Sequence, residues 1–325
     1  MNRFAMRFTV VIAGLLGIFT SAAQANELVP GKPLRIIAPA APGGILDQTS
    51  RLVAKALSDQ LKIPVIVDNV PGAGGTLGIS AMLRADPDGH TLVMGSLGPN
   101  AANYTLQEKL PYKAADMTPV IHVLSMPNVL VANPKLGAKT VSDLKELSRR
   151  SDRGLSIAVS TSGSSGHLSS ELIKDRAGLI GVNIIYKGAA PALIDLVGGQ
   201  VDIMVDNLIT ALPHIRSGRL TAIAVTTRDR VPELPAVPTL IESGLPDLDV
   251  AVWLGLFVSS RTPAATSALL NRELQKVLAS PEMRQRFSEQ GGKAMGGTPE
   301  AFASFVLAET TRWERVIRAA NLKAD

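Results

Sequence analysis

A short apolar segment, a glycine-rich loop and a helix-patterned stretch follow one another three times in this sequence. Leu34–Ala38 reads as a strand and Pro39–Gly44 as a loop. Leu46–Leu61 reads as a helix, with Leu46, Val53, Ala56, Leu57 and Leu61 at helical spacing. Pro64–Asp68 runs into Pro71-Gly72-Ala73-Gly74-Gly75 and a helix over Thr76–Arg84. Leu155–Val159 runs into Ser160–Gly166 and a helix over His167–Ala177. A strand that leads into a helix cannot turn back in a tight hairpin, so the alternation specifies an α/β fold with a parallel sheet. Further strands are predicted at Thr91–Gly95, Val120–Ala132, Asn183–Tyr186, Val201–Val205, Leu220–Thr226 and Trp253–Val258. Further helices are predicted at Val141–Arg149, Pro191–Val197, Leu212–Ser217, Pro263–Ala279 and Pro299–Ala320. The last has Phe302, Phe305, Val306, Trp313 and Ile317 on its apolar side.

The ends and the crossings divide the chain. Arg3 and Arg7 precede an apolar stretch from Phe8 to Phe19, and Ala23-Gln24-Ala25 closes it. This is the pattern of a secretory signal cleaved after Ala25, leaving Asn26 first. The apolar run is shorter than the roughly 20 residues of a membrane span. The expectation is an exported, soluble protein, periplasmic in a bacterium. No linker separates two halves. Val120–Ala132 and Leu220–Thr226 read as strands crossing between two lobes, which makes the first lobe discontinuous. The predicted division is a signal over 1–25, a first lobe from 26–124 and 227–325, and a second lobe over 125–226.

Composition removes several kinds of chemistry. With 46% hydrophobic residues the 325-residue chain can bury a sizeable core. The absence of cysteine excludes disulfides, thiolate metal sites and a cysteine nucleophile. A formal charge of +5 without a dense basic run, and 4% aromatics, give no footprint for nucleic acid. The four histidines, at 90, 122, 167 and 214, lack metal-ligand spacing, so no metal is predicted. His90, after Asp88-Gly89, reads as a surface residue; His167, at a helix start, either touches the cleft or has a capping or structural role. The Pro71–Gly75 loop lacks G-x-G-x-x-G, and no G-x-x-x-x-G-K-[ST] occurs, so no nucleotide cofactor is predicted.

Two loops are site candidates. Pro42-Gly43-Gly44-Ile45-Leu46-Asp47 leaves a strand and enters a helix. Its glycines admit a ligand close to the backbone, and the free N–H groups of the helix start suit a carboxylate or phosphate. Asp47 either caps that helix or accepts from a ligand amine, and an ordinary tight turn is the plain alternative. Ser160–Gly166 repeats the geometry in the other lobe. Ser164, in Gly163-Ser164-Ser165-Gly166, is not in a G-x-S-x-G elbow, and no base is identified beside it. No catalytic set is therefore predicted. A secreted hydrolase using loop 160–166 stays the alternative, with a structural or adhesive protein as a third reading.

The chain resembles the periplasmic solute receptors of tripartite tricarboxylate transporters, the TctC or Bug family. Lys32-Pro33-Leu34-Arg35-Ile36-Ile37, Pro42-Gly43-Gly44-x-x-Asp47 and Asn69-Val70-Pro71-Gly72-Ala73-Gly74-Gly75 carry the resemblance. Asp86-Pro87-Asp88-Gly89-His90-Thr91-Leu92, Lys109-Leu110-Pro111-Tyr112, Tyr186-Lys187-Gly188, Gly198-Gly199-Gln200-Val201-Asp202, Ala222-Ile223-Ala224-Val225-Thr226 and Val237-Pro238-Thr239 continue it in order. The resemblance implies a two-lobed Venus-flytrap fold that captures a small organic acid between its lobes. It implies permease subunits as partners and a monomer without a cofactor. It points to Gly43, Gly44 and Asp47 in one lobe and Thr161, Ser162 and Gly163 in the other, with Ser96 and Asp206 as further contacts. Two features depart from the family pattern: Ala40 stands where an aromatic is usual, and Gly95–Asn103 is divergent.

Overall fold

The computed structural model describes residues 28, 31–150, 152–246, 248–289, 291–319 and 322. The predicted signal and Asn26 lie outside them. The chain opens with β1 (Leu34–Ala38), α1 (Ile45–Leu61), β2 (Val65–Asn69), α2 (Thr76–Arg84), β3 (Thr91–Ser96) and the short α3 (Asn103–Leu106). β4 (Met117–Ala132) follows, then α4 (Val141–Ser148), β5 (Leu155–Val159), α5 (Ser165–Ala177), β6 (Gly181–Ile185), α6 (Ala189–Gly198), β7 (Ile203–Asn207), α7 (Leu208–Arg216) and β8 (Thr221–Val225). The chain ends with β9 (Ala251–Ser259), α8 (Ala264–Ala279), α9 (Pro281–Glu289), β10 (Lys293–Gly296) and α10 (Pro299–Ala319).

The strands run in the order β2-β1-β3-β9-β4-β7-β5-β6, with β8 and β10 also paired to β4. β1 is parallel to β2 and β3, and β5 is parallel to β6 and β7, as the alternation requires. β4 joins the two parallel groups. Its 16 residues pair antiparallel with β9 over Met117–Pro127 and with β7 over Asn128–Ala132. The partner changes at Pro127, which has no N–H to give a ladder. β8 lies against the second half of β4 only, over Val129–Ala132, so the return runs through the segment between β8 and β9. There the Thr226 N–H donates to the Asn128 carbonyl and the Val250 N–H to the Thr226 carbonyl.

Apolar faces of both groups pack in three buried clusters. α10 packs on β4, its Phe302 lies against Trp253 and Phe257 of β9, and Phe302, Trp313 and Ile317 are all buried. Trp253 and Trp313 each donate an indole N–H to one Glu309 oxygen, at 3.2 Å. His122 on β4 stacks on Phe305 and Phe302, with centroids 4.7 and 5.3 Å away, and burial pushes its pKa down to about 4.

The structure revises several expectations. His90 is buried, at 2% exposure, and its Nδ1 lies 3.2 Å from the Pro33 carbonyl. The turn it follows packs against β1, since the Arg35 N–H donates to the His90 carbonyl. β6 starts two residues and ends one residue before its predicted span, and β7 lies two residues after its own, because the register with β5 sets Leu155 opposite Gly181 and Ile157 opposite Ile203. α3, α9 and β10 were not anticipated. Each is short, and α9 buries only Met283 and Phe287, one turn apart.

Candidate functional site

The predicted site residues all lie at the carboxyl ends of parallel strands, where ligands favour α/β sheets. Gly43–Asp47 follows β1, Ser96 ends β3, Thr161–Gly163 follows β5, and Asp206 is the second-last residue of β7.

The first loop is rigidly tied. Gly43 has φ +89°, and its N–H donates to Asp47 Oδ2 at 2.9 Å. Asp47 is buried, and its Oδ1 meets Arg51 Nε at 2.9 Å. Burial alone would raise that carboxyl, but Arg51 and the Gly43 N–H more than offset it and hold the pKa below its ordinary value. Arg51 reaches on to Asn69, whose side-chain amide donates to the Ala40 carbonyl. Gly44 is the N-cap of α1, without a capping side chain. The α1 start therefore keeps backbone donors for an anion, with the glycine giving clearance: an added Cβ would meet only the Ala41 carbonyl oxygen, at 4.0 Å. The Ser96 N–H is taken by Asn100 Oδ1, at 3.1 Å.

The facing loop differs. Ser164 caps α5 by accepting from the His167 N–H at 3.2 Å. The Gly163 N–H donates to His167 Nδ1 at 3.0 Å, which gives this histidine its structural role. Thr161 is exposed and donates to the Ser160 carbonyl. The Ser162 hydroxyl oxygen is buried without a hydrogen-bond partner among the described residues.

Ser162 and Gly163 press against the β1–β3 side of the molecule. A Cβ added at Gly98 would stand 3.2 Å from the Gly163 carbonyl oxygen, and one at Gly74 3.7 Å from that of Ser162. One at Gly163 would stand 3.1 Å from Asn103 Oδ1 and 3.3 Å from Leu106. The loop after β5 thus meets Gly74, Gly98 and Asn103 at a seam. A cavity of about 650 Å³ opens along it, walled by Gly74, Asn103, Leu106, Ser162 and Gly163. Ser162 and Gly163 are the predicted site residues it brings in; Gly43, Gly44, Asp47, Ser96, Thr161 and Asp206 lie outside its walls.

Asp206 sits beneath α7. Its Oδ2 accepts from the Thr210 hydroxyl at 2.6 Å, and its Oδ1 has no hydrogen-bond partner among the described residues. Burial raises its pKa to about 6, partly offset by Thr210 and the Asn207 N–H. A folded pKa above the unfolded 3.8 favours the protonated carboxyl; that contribution is full below pH 3.8 and lost as pH rises through 6. Asp206→Asn is therefore expected to gain about 3 kcal/mol in urea unfolding at pH 8 and almost nothing at pH 4. An equal gain at both pH values would show that charge burial is not the cause.

Sequence reasoning missed Gly74, Gly98 and Asn103 as seam residues. It also missed Asn128, fully buried where β4 changes partner, whose side-chain oxygen and nitrogen both lack hydrogen-bond partners among the described residues. An asparagine inside the apolar run Val123–Ala132 was the available signal.

The sequence matches the tripartite tricarboxylate transporter family receptor description over residues 49–322. The chain belongs to this family. Protein BugT of Bordetella pertussis is 35% identical to the receptor over 325 residues, covering 98% of this chain and 99% of BugT. Among solved structures, Rhodopseudomonas palustris Rpa4515 with adipate is 34% identical, with TM-score 0.87, covering 90% of this chain and 99% of that one. MatC from Rhodopseudomonas palustris with bound malate is 33% identical, with TM-score 0.84, covering 89% of this chain and all of that one. The receptor has the two-lobed solute-binding fold of these proteins. Among the described residues no helix is long and apolar enough to cross a membrane.

Proposed function

We propose that the receptor captures a small organic acid in the periplasm and presents it to the permease subunits of a tripartite tricarboxylate-type transporter. The observation that carries this reading is the uncapped start of α1 at Gly44, with open space before it. Backbone N–H groups there suit a carboxylate, and the adipate and malate held by the relatives are of that class. The lobes are proposed as 26–124 with 227–325, and 125–226, the ligand lying between loops 43–47 and 161–163. Ser96, Asp206 and the unpartnered Asn128 amide would serve the far end of the ligand. Binding both loops favours the closed arrangement, because only closure satisfies both ends of the acid. Export would leave a soluble monomer beginning at Asn26.

The test is thermal melting against adipate, malate, aspartate, benzoate and acetate. A bound acid should stabilise by about 2.7 kcal/mol at 100 times its dissociation constant. A panel in which no acid moves the melting temperature removes the carboxylate assignment.

The hydrolase alternative finds little support in loop 160–166. Ser164 is occupied as a cap, and His167 offers Nδ1 to the Gly163 N–H rather than to a serine. Ser164→Ala is expected to lower stability by about 1 kcal/mol through the lost cap. Ser164→Ala and Ser165→Ala should each leave acid binding within about tenfold. Ester turnover by the wild type that disappears in either variant would instead favour the enzyme.

A further inference from the structure

Two helix starts at the carboxyl ends of the strands differ in charge. At the α1 start the internal acid, Asp47, is neutralised by Arg51 at 2.9 Å, and the backbone donors after Gly44 have no capping side chain. The α7 start is its counterpart in the second lobe, with Asn207 as an N-cap that makes no capping bond. There the internal acid is Asp206, which accepts from the Asn207 N–H and the Thr210 hydroxyl and has no ion-pair partner among the described residues. Arg228 and Arg312, which bond to Asp249 in the crossing segment, are paired with Asp249 and Glu309, both at 3.5 Å. One end is ready for an anion, and above pH 6 the other already holds one. A second carboxylate at the α7 end would be desolvated near a like charge.

Asn128 stands at this second end. β9 carries the sheet from Ser96, opposite Leu254, to Ala251, opposite Pro127. The next residue of β4 is Asn128, opposite Asn207. Directly opposed residues of an antiparallel pair share a face, so Asn128 and Asn207 lie together, while Asp206, opposite Val129, is on the other face. The Asn128 backbone is fixed: its N–H donates to Thr226 Oγ1 at 3.1 Å and its carbonyl accepts the Thr226 N–H at 3.0 Å. Its fully buried side chain has no partner for either polar atom among the described residues. Leaving such an amide unmet costs more than one hydrogen bond contributes.

We propose that Asn128 selects the far end of the ligand: the acid held by its carboxylate at the α1 start carries a neutral carboxamide at its other end, which pairs with the Asn128 amide through two hydrogen bonds. A carboxamide both donates and accepts, as Asn128 does, so the pair satisfies the Asn128 oxygen and nitrogen together. A carboxylate only accepts, so it would leave the Asn128 oxygen unmet and would add charge near Asp206. An alkyl end would leave both Asn128 atoms unmet. The inference rests on the carboxylate reading of the cleft and adds the class of acid, the monoamide of a dicarboxylic acid rather than the dicarboxylate itself.

The test is titration calorimetry on the whole mature receptor at pH 8, where Asp206 is ionised, with two sets of acids matched in shape. One set is succinamate, succinate and 4-methylpentanoate. The other is adipic acid monoamide, adipate and 6-methylheptanoate. In the set whose length fits, the monoamide is expected to bind at least about tenfold tighter than either of its matched acids. Asn128→Leu should bring the monoamide to within about threefold of the alkyl acid. It should leave the unliganded melting temperature no lower, since it replaces an unmet buried amide by an apolar group of similar shape. The wild-type ranking tests the proposal without any variant. A dicarboxylate or an alkyl acid that binds tightest overturns it, as does a monoamide preference that survives Asn128→Leu, and in each of these cases the carboxylate reading of the cleft stands. If none of the six acids binds, that reading fails and this one falls with it.

Discussion

Gly44→Val is expected to abolish carboxylate binding while leaving the unliganded fold intact. Gly44 has φ −82° and ψ 174°, an extended conformation open to any residue. Its added Cβ meets nothing closer than the Ala41 carbonyl oxygen at 4.0 Å, so valine costs the empty receptor little. The space those methyl groups enter is the space before the free amides of α1. Filling it keeps a carboxylate from two or more charge-assisted hydrogen bonds of about 1.5–3 kcal/mol each, a loss of at least about 100-fold in affinity. Neighbouring Gly43 provides the contrast. Its φ of +89° makes Gly43→Val a folding lesion, with lower stability even without ligand. Calorimetry and melting separate the two. Gly44→Val that binds the same acid within threefold would place the ligand elsewhere.

The α/β alternation was legible because glycine loops mark each passage from strand to helix, and the apolar spacing changes with them. α2 and β5 fall on their predicted spans, and α1 and α10 within one residue. Segments such as Pro42–Asp47 carried the family for the same reason: local backbone demands fix local residues. What stayed hidden depends on contacts remote in sequence. Gly98 is an ordinary glycine until Gly163, 65 positions later, is brought against it. The divergent stretch Gly95–Asn103 turns out to hold both Gly98 and Asn103 of the seam, together with Asn100, which caps the end of β3. His90 looked exposed because turn residues usually are, and only the packing of that turn on β1 buries it.

Gly98→Val should weaken acid binding by a different route, through closure rather than contact. No part of the predicted grip lies at Gly98. Yet its added Cβ would come within 3.2 Å of the Gly163 carbonyl oxygen, tighter than nine in ten real Cβ contacts. The obstacle is backbone, which cannot rotate aside. Overpacking of this kind costs about 1–3 kcal/mol. The cost falls on the closed arrangement alone, because in an open one the Gly163 carbonyl has withdrawn. Apparent affinity scales with the fraction of receptor able to close, so the acid should bind about 5- to 150-fold more weakly. The unliganded melting temperature should stay near that of the wild type. Raising the acid concentration should recover full occupancy and the compaction seen by small-angle scattering. Gly44→Val should recover neither, since its amides stay covered at any concentration. A Gly98→Val receptor with wild-type affinity would mean that ligand capture does not require the loops to meet at this seam.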